Sequence, residues 1–248
     1  MPTSPWNYAN STYLNLNAKL DDGKTGVALR IDRYLNNSLK MPRNINAGKA
    51  LSQLLGNIVG ELKVKYPGPL KFKIGDIAYD RYKLQRVFYG KGSPEDIRNV
   101  VRLASRYQLT DAKTVNQYCT TNIGLDCNGF AGNFWGIDPE TIIGSYNVNR
   151  RKAVADVASG DAMIYYRKGG GDPVHIAVVD EVKIVGKDFQ VIVAQSAGPD
   201  QGISRFDCGR LKPQNTKSGD LYVQRTVIGY GECTVFFAAG PPRGAPST

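Results

Sequence analysis

Apolar positions in the first hundred residues recur at intervals of three and four. In 26–40, Val27, Ile31, Tyr34, Leu35 and Leu39 fall on that spacing and predict a helix closed by Pro42. Residues 47–65 predict a second helix, stopped by Y-P-G-P, and 75–89 a third. "SPEDIRNVVRLASRY" carries every helix-start signal: Ser93 as N-cap, Pro94 in the first position, Glu95 and Asp96 in the first turn. Residues 1–20 show no such signals and read as an irregular or loosely docked arm. The expectation for residues 1–110 is therefore a mostly helical region.

From about residue 160 the pattern changes. "DAMIYYR", "PVHIAVVDEVKIV", "DFQVIVAQSA" and "LYVQRTVIGYGECTVFFAAG" are rich in Val, Ile and Tyr, and Gly or Asp groups separate them. Strand follows strand without intervening helices, which predicts an α+β fold with an antiparallel sheet. The expected organisation is a helical region at 1–110, a second domain at 111–240 and a disordered tail at 241–248.

Charge sharpens that division. The 248 residues carry a net +10, and residues 1–110 hold all of it, with 18 Lys+Arg against 8 Asp+Glu. Such asymmetry fits an anionic partner for the first region: nucleic acid, an acidic cell-wall polymer or an anionic membrane. A solvated surface that is merely basic fits equally. No apolar run reaches the length of a transmembrane helix, and the polar N-terminus shows no secretory h-region.

Candidate chemistry centres on "GLDCNGFAGNFWG". Cys127 follows a turn and opens a segment in which Phe130 and Phe134 share one helical face. A helix N-terminus favours a thiolate, and its amide N–H groups can hold an oxyanion. Any Cys/His chemistry must use His175, the single histidine. It opens a predicted strand, with Ala177 and Val179 on its face. If the next strand folds back as a hairpin, Gln195 falls beside His175 and can orient the ring, with Ser196 as the rival. Asp126 reads as a helix cap. Trp135, Tyr165 and Tyr166 read as core or groove-lining aromatics, with Trp135 taken into the substrate groove. The other cysteines are Cys119, Cys208 and Cys233. Cys208 and Cys233 can pair and leave Cys119 free, although spacing does not fix connectivity. The cysteine spacings and the single histidine predict no zinc site, and the glycines of K-G-G-G-D predict a turn and no phosphate loop.

These blocks resemble a known family. "DCNGF" is similar to the D-C-S-G-F signature of NlpC-type cell-wall peptidases and the related CHAP amidases. "SGDAMIYYR…GGDPVHIAVVDEV" resembles their second block and "VIVAQSAG" their third. The resemblance spans roughly residues 111–240. It implies a papain-like core that hydrolyses amide bonds in peptidoglycan stem or cross-link peptides, without cofactor or metal. It carries the nucleophile to Cys127, the base to His175 and the orienting group to Gln195. Asn128 stands where the family has serine. The family's Tyr-x-Trp-Gly-Gly stretch is absent, and Tyr118 would replace its tyrosine in the oxyanion or substrate pocket. Tyr118, Asn128 and Trp135 are thus the expected substrate-binding residues. Bacterial peptidoglycan is the expected partner, joined by an immunity or inhibitor protein if the chain is a delivered toxin. The expected setting is secreted, periplasmic or inside a target cell. Two other readings stand beside this one. One is a papain-like protease, deamidase or transferase acting on host protein. The other is a nucleic-acid-binding protein with an inert Cys127, a partner class the resemblance disfavours.

Overall fold

The computed structural model describes residues 3–36 and 44–241. Along the chain run α1 (Pro5–Ala9), β1 (Leu16–Lys19), β2 (Gly26–Leu29), α2 (Ile45–Leu62), β3 (Lys71–Ile74), β4 (Ile77–Asp80), α3 (Arg81–Val87), α4 (Pro94–Arg106), α5 (Val115–Asn122) and α6 (Cys127–Trp135). Then come β5 (Ala162–Arg167), β6 (His175–Val185), β7 (Asp188–Ala197), α7 (Gly198–Gln201), β8 (Gly202–Leu211), β9 (Gln214–Asn215), β10 (Leu221–Val227) and β11 (Gly231–Ala238). Two compact units result. Ser11–Asp126 forms a basic unit; Met1–Asn10 joins Cys127–Thr248 in a sheet unit. The division falls between Asp126 and Cys127, not at residue 110. Most of the expected tail, 242–248, lies outside the described residues.

The basic unit mixes helices with two short hairpins, β1–β2 and β3–β4, where a mostly helical region was expected. α2 buries Ala47, Leu51, Leu54, Leu55 and Ile58 along one stripe, and Asn44 caps it by accepting the Ala47 N–H at 3.0 Å. α4 has the reciprocal capping box between Ser93 and Asp96.

Three expectations in this part of the chain need correction. Residues 26–36 are extended, not helical. Leu29 pairs with Leu16, the Ile31 N–H reaches Tyr13 O, and the Leu35 N–H reaches Leu125 O at 3.0 Å. Leu29, Ile31 and Leu35 are buried at even spacing, so a period of two prevails over the helical one. Leu39 and Pro42 lie outside the described residues. The chain passes so close to Gly90 that a Cβ there would sit 1.9 Å from Leu35 O; with φ +82, that position requires glycine. The expected third helix begins only at Arg81, because 77–80 pair with β3 and Asp80 then caps α3. Residues 3–20, finally, are no loose arm. α1 is capped by Ser4 and starts at Pro5, and from Leu14 the apolar residues 14, 16, 18 and 20 alternate with polar ones and are buried.

The sheet unit is built on one antiparallel seven-stranded sheet in the order β8-β7-β6-β5-β11-β10-β9. The sheet curls: Arg225 of β10 lies over the Phe206 ring of β8, 5.6 Å from its centroid, although four strands separate them in the order. The curl encloses a core that includes Met163, Ala177, Val179, Val191, Val193, Val223, Val235 and Phe237. α6 packs on β6 and β7. α1 packs there too. Its Trp6 N–H donates to buried Asp180 at 3.0 Å, and its Tyr8 ring meets Phe134 of α6 edge-on at 5.5 Å. The G-D pair before β5 has a structural task. Gly160 O accepts the Trp135 indole N–H, and Asp161 holds Arg151 with two bonds of 2.7 and 2.8 Å.

Candidate active site

The β6–β7 hairpin brings the expected pair together. His175 is the first residue of β6, paired with Tyr165 of β5. Val178 pairs with Ala194, so the start of β6 runs beside the end of β7. Gln195 Oε1 lies 2.9 Å from His175 Nε2. With a carbonyl oxygen facing it, Nε2 carries the proton and donates. Gln195 is therefore positioned to orient the ring. Nδ1 retains the lone pair. It is buried and has no hydrogen-bond partner within the protein.

Burial governs this imidazole. His175 is 3 % exposed, and desolvation lowers its pKa from 6.5 to about 4. The Gln195 bond opposes that shift, and the Arg225 charge adds to it. At neutral pH the ring is an uncharged base with an available Nδ1.

Cys127 is the first residue of α6, and it is 6 % exposed. First-turn amides lack intrahelical acceptors, and their partial positive charge favours a thiolate at that position. Tyr230, in the turn between β10 and β11, lies beside the imidazole. Its ring lies 6.1 Å from His175, inclined by 24°. Its phenol is held above the ordinary tyrosine range, first by burial and next by the nearby Cys127 sulfur. No disulfide links any of the four cysteines, so the Cys208–Cys233 pair does not form. Cys208 lies on β8, its thiol pushed up by burial, and Cys233 is buried on β11.

The expected substrate-binding residues fare differently. Trp135 is 1 % exposed, packs on Tyr146 at 5.1 Å and spends its N–H on Gly160 O, so it belongs to the core and not to a groove. Asn128 is also buried. Its amide donates to Pro139 O at 3.1 Å and to Thr141 O, tying the start of α6 to the following loop. Its Oδ1 is left without a protein partner. Tyr118 lies on α5 in the basic unit, its hydroxyl buried and unpartnered and its pKa raised by that burial. Asp126 forms an ion pair with Lys91 at 2.7 Å.

Sequence reasoning missed Tyr230, and it left Tyr165 as a generic aromatic. The register that pairs β5 with β6 could have found Tyr165, whose ring centroid lies 5.1 Å from that of the imidazole. For Tyr230 the only signal was a tyrosine between two glycines in a turn. Among the described residues, no three His, Cys, Asp or Glu side chains gather as a metal site, and no helix is long and apolar enough to cross a membrane. No family model, curated protein or solved structure matches this chain.

Proposed function

We propose that the sheet unit is a papain-like, NlpC-type cysteine hydrolase that cleaves an amide bond in the stem or cross-link peptides of bacterial peptidoglycan. One observation carries the reading. The only imidazole is bonded through Nε2 to Gln195 and keeps a bare Nδ1, and the sulfur at the start of α6 acts on the phenol of Tyr230, whose ring lies beside that imidazole.

The chemistry follows from those protonation states. His175 Nδ1 takes the Cys127 proton as the sulfur attacks the scissile carbonyl. The C=O π pair moves onto oxygen, and first-turn N–H groups of α6 hold that oxyanion. When the tetrahedral adduct collapses, the C–N bond breaks and Nδ1–H protonates the departing amine. Water, deprotonated by the same Nδ1, adds to the thioester and expels the thiolate. Gln195 accepts from Nε2–H throughout and stabilises the imidazolium without taking its proton. The sequence of steps uses no metal or organic cofactor. The charge of the basic unit suits an anionic wall, and delivery as a toxin would call for an immunity protein in the producer.

The test is digestion of purified sacculi by the wild type and by Cys127→Ala, with released fragments read by mass spectrometry. New amine and carboxyl termini at one peptide position, absent with the variant, are the expected result. Intact sacculi alongside a rapidly alkylated Cys127 would move the substrate to a protein amide. A Cys127 that resists alkylation would end the enzymatic reading.

A further inference from the structure

Tyr230 projects from a tight turn. Val227 pairs with Gly231, the Tyr230 N–H donates to Val227 O at 3.0 Å, and the flanking Gly229 and Gly231 adopt φ of +81 and +74. A turn of this length can be closed by many polar residues. Here it carries a large ring that is half-buried against the imidazole. The two tyrosines that touch His175 differ in kind. Tyr165 is fully buried in the sheet core and meets the ring at 58°. Tyr230 lies almost parallel to it, with ring centroids 6.1 Å apart and planes inclined by 24°.

We propose that Tyr230 is a positioning residue of the active site, whose ring covers one face of His175, fixes the imidazole plane that presents Nδ1 to Cys127, and keeps water from that face. The proposal rests on the Cys127–His175 reading given above. The groups around the imidazole leave the ring this role. Gln195 from β7 fixes one nitrogen but permits rotation about the Nε2–Oε1 axis. Tyr165 from β5 and Arg225 from β10 supply a buried phenol and a cation, Cys127 comes from α6, and none of these is a carboxylate that would favour an imidazolium. A flat ring nearly parallel to the imidazole limits that rotation and excludes water.

The single histidine makes the test direct, since its C2–H resonance titrates alone. Tyr230→Phe keeps the ring; its His175 midpoint and Cys127 alkylation rate should stay within about twofold of wild type. Tyr230→Ala hydrates the imidazole; its midpoint should rise by about one pH unit toward the ordinary value, and the pH profile of Cys127 alkylation should move with it. Turnover should fall about 10- to 100-fold with KM little changed, because orientation and not binding is lost. Tyr230→Leu, which fills the space without a flat face, should fall between the two and serves if the alanine variant does not fold. Unchanged midpoint and profile in folded Tyr230→Ala and Tyr230→Leu would overturn the proposal. His175→Gln separates this failure from that of the parent reading. If it leaves Cys127 alkylation at the wild-type rate, the Cys–His pair itself is wrong; if it abolishes the reactivity while the Tyr230 variants are silent, only the role of Tyr230 falls.

Discussion

The two units use charge in opposite ways. The basic unit, Ser11–Asp126, holds 19 Lys+Arg against 10 Asp+Glu, and most of its ion pairs face solvent. Arg106 with Glu61 and Asp21, and Arg30 with Asp32, are all about a third exposed or more. The sheet unit holds 13 against 12, and three of its acids are buried in ion pairs. Asp161 clamps Arg151, Asp180 joins Arg205 to the Trp6 N–H, and Asp220 receives Arg150 and Lys152. Each of these carboxylates links loop or terminal segments to the sheet. Charge in the sheet unit is nearly balanced, and its buried carboxylates are structural. Charge in the other unit is surplus.

That contrast places the largest effect at the neutral centre of the sheet unit. His175→Ala should lower kcat by about 10³- to 10⁴-fold while circular dichroism stays native, because it removes proton transfer from a scaffold held by other groups. A variant with near-normal turnover would show that the thiol acts without the imidazole.

Next come the ion pairs. Asp161→Ala strands a guanidinium beside the sheet and should cost about 3–5 kcal/mol in urea unfolding. Glu61→Ala removes the partner of Arg106 in the basic unit and should cost about 1 kcal/mol or less, since that pair is exposed. Equal costs would dissolve the distinction between structural and surplus charge.

Acid should act on the sheet unit through His175. Its pKa is about 4 when folded and near 6.5 when unfolded, so between those values the unfolded chain binds a proton that the native state does not. The contribution is complete above about pH 6.5 and is lost as pH falls toward 4, amounting to about 3 kcal/mol. Unfolding curves at pH 7 and pH 4 should therefore differ more for the wild type than for His175→Gln. An equal loss in both would mean that the buried imidazole contributes nothing to acid sensitivity.

What could be read from the chain followed from how local each signal was. α4 was legible because Ser93, Pro94 and Asp96 act within one turn. β5, β6, β7, β10 and β11 were legible as apolar runs, and the expected hairpin already set Gln195 beside His175. β8 was not, because "GISRFDCGRL" spends its outward positions on Arg and Asp and hides its alternation. Residues 26–35 misled because Val27, Ile31, Tyr34 and Leu35 satisfy a helical spacing, while the partners that make them extended, Leu16, Tyr13 and Leu125, are distant in sequence or belong to another element. Trp135 looked like a groove residue because its indole partner, Gly160 O, lies 25 positions away. Tyr230 was invisible for the same reason: it meets His175 across the intervening strand β5, which the sequence does not reveal.

The smallest predicted effect tests what the surplus charge is for. Lys63, Lys65, Lys71 and Lys73 are exposed and lie within one short stretch around β3. On the proposed reading they strengthen contact with an anionic wall and take no part in the chemistry. Changing all four to Gln should raise KM on sacculi only severalfold at low salt, since exposed charges are screened beyond about 10 Å at 0.1 M. The difference should vanish at high salt, and kcat and Cys127 alkylation should not move, because neither depends on encounter. A fall in alkylation would mean that these lysines influence the thiol itself, and the two units would no longer be separable into one that attracts and one that reacts. A KM unaltered at every salt concentration would leave the basic surface without a wall-binding task, and the hydrolase reading would then rest on the sheet unit alone.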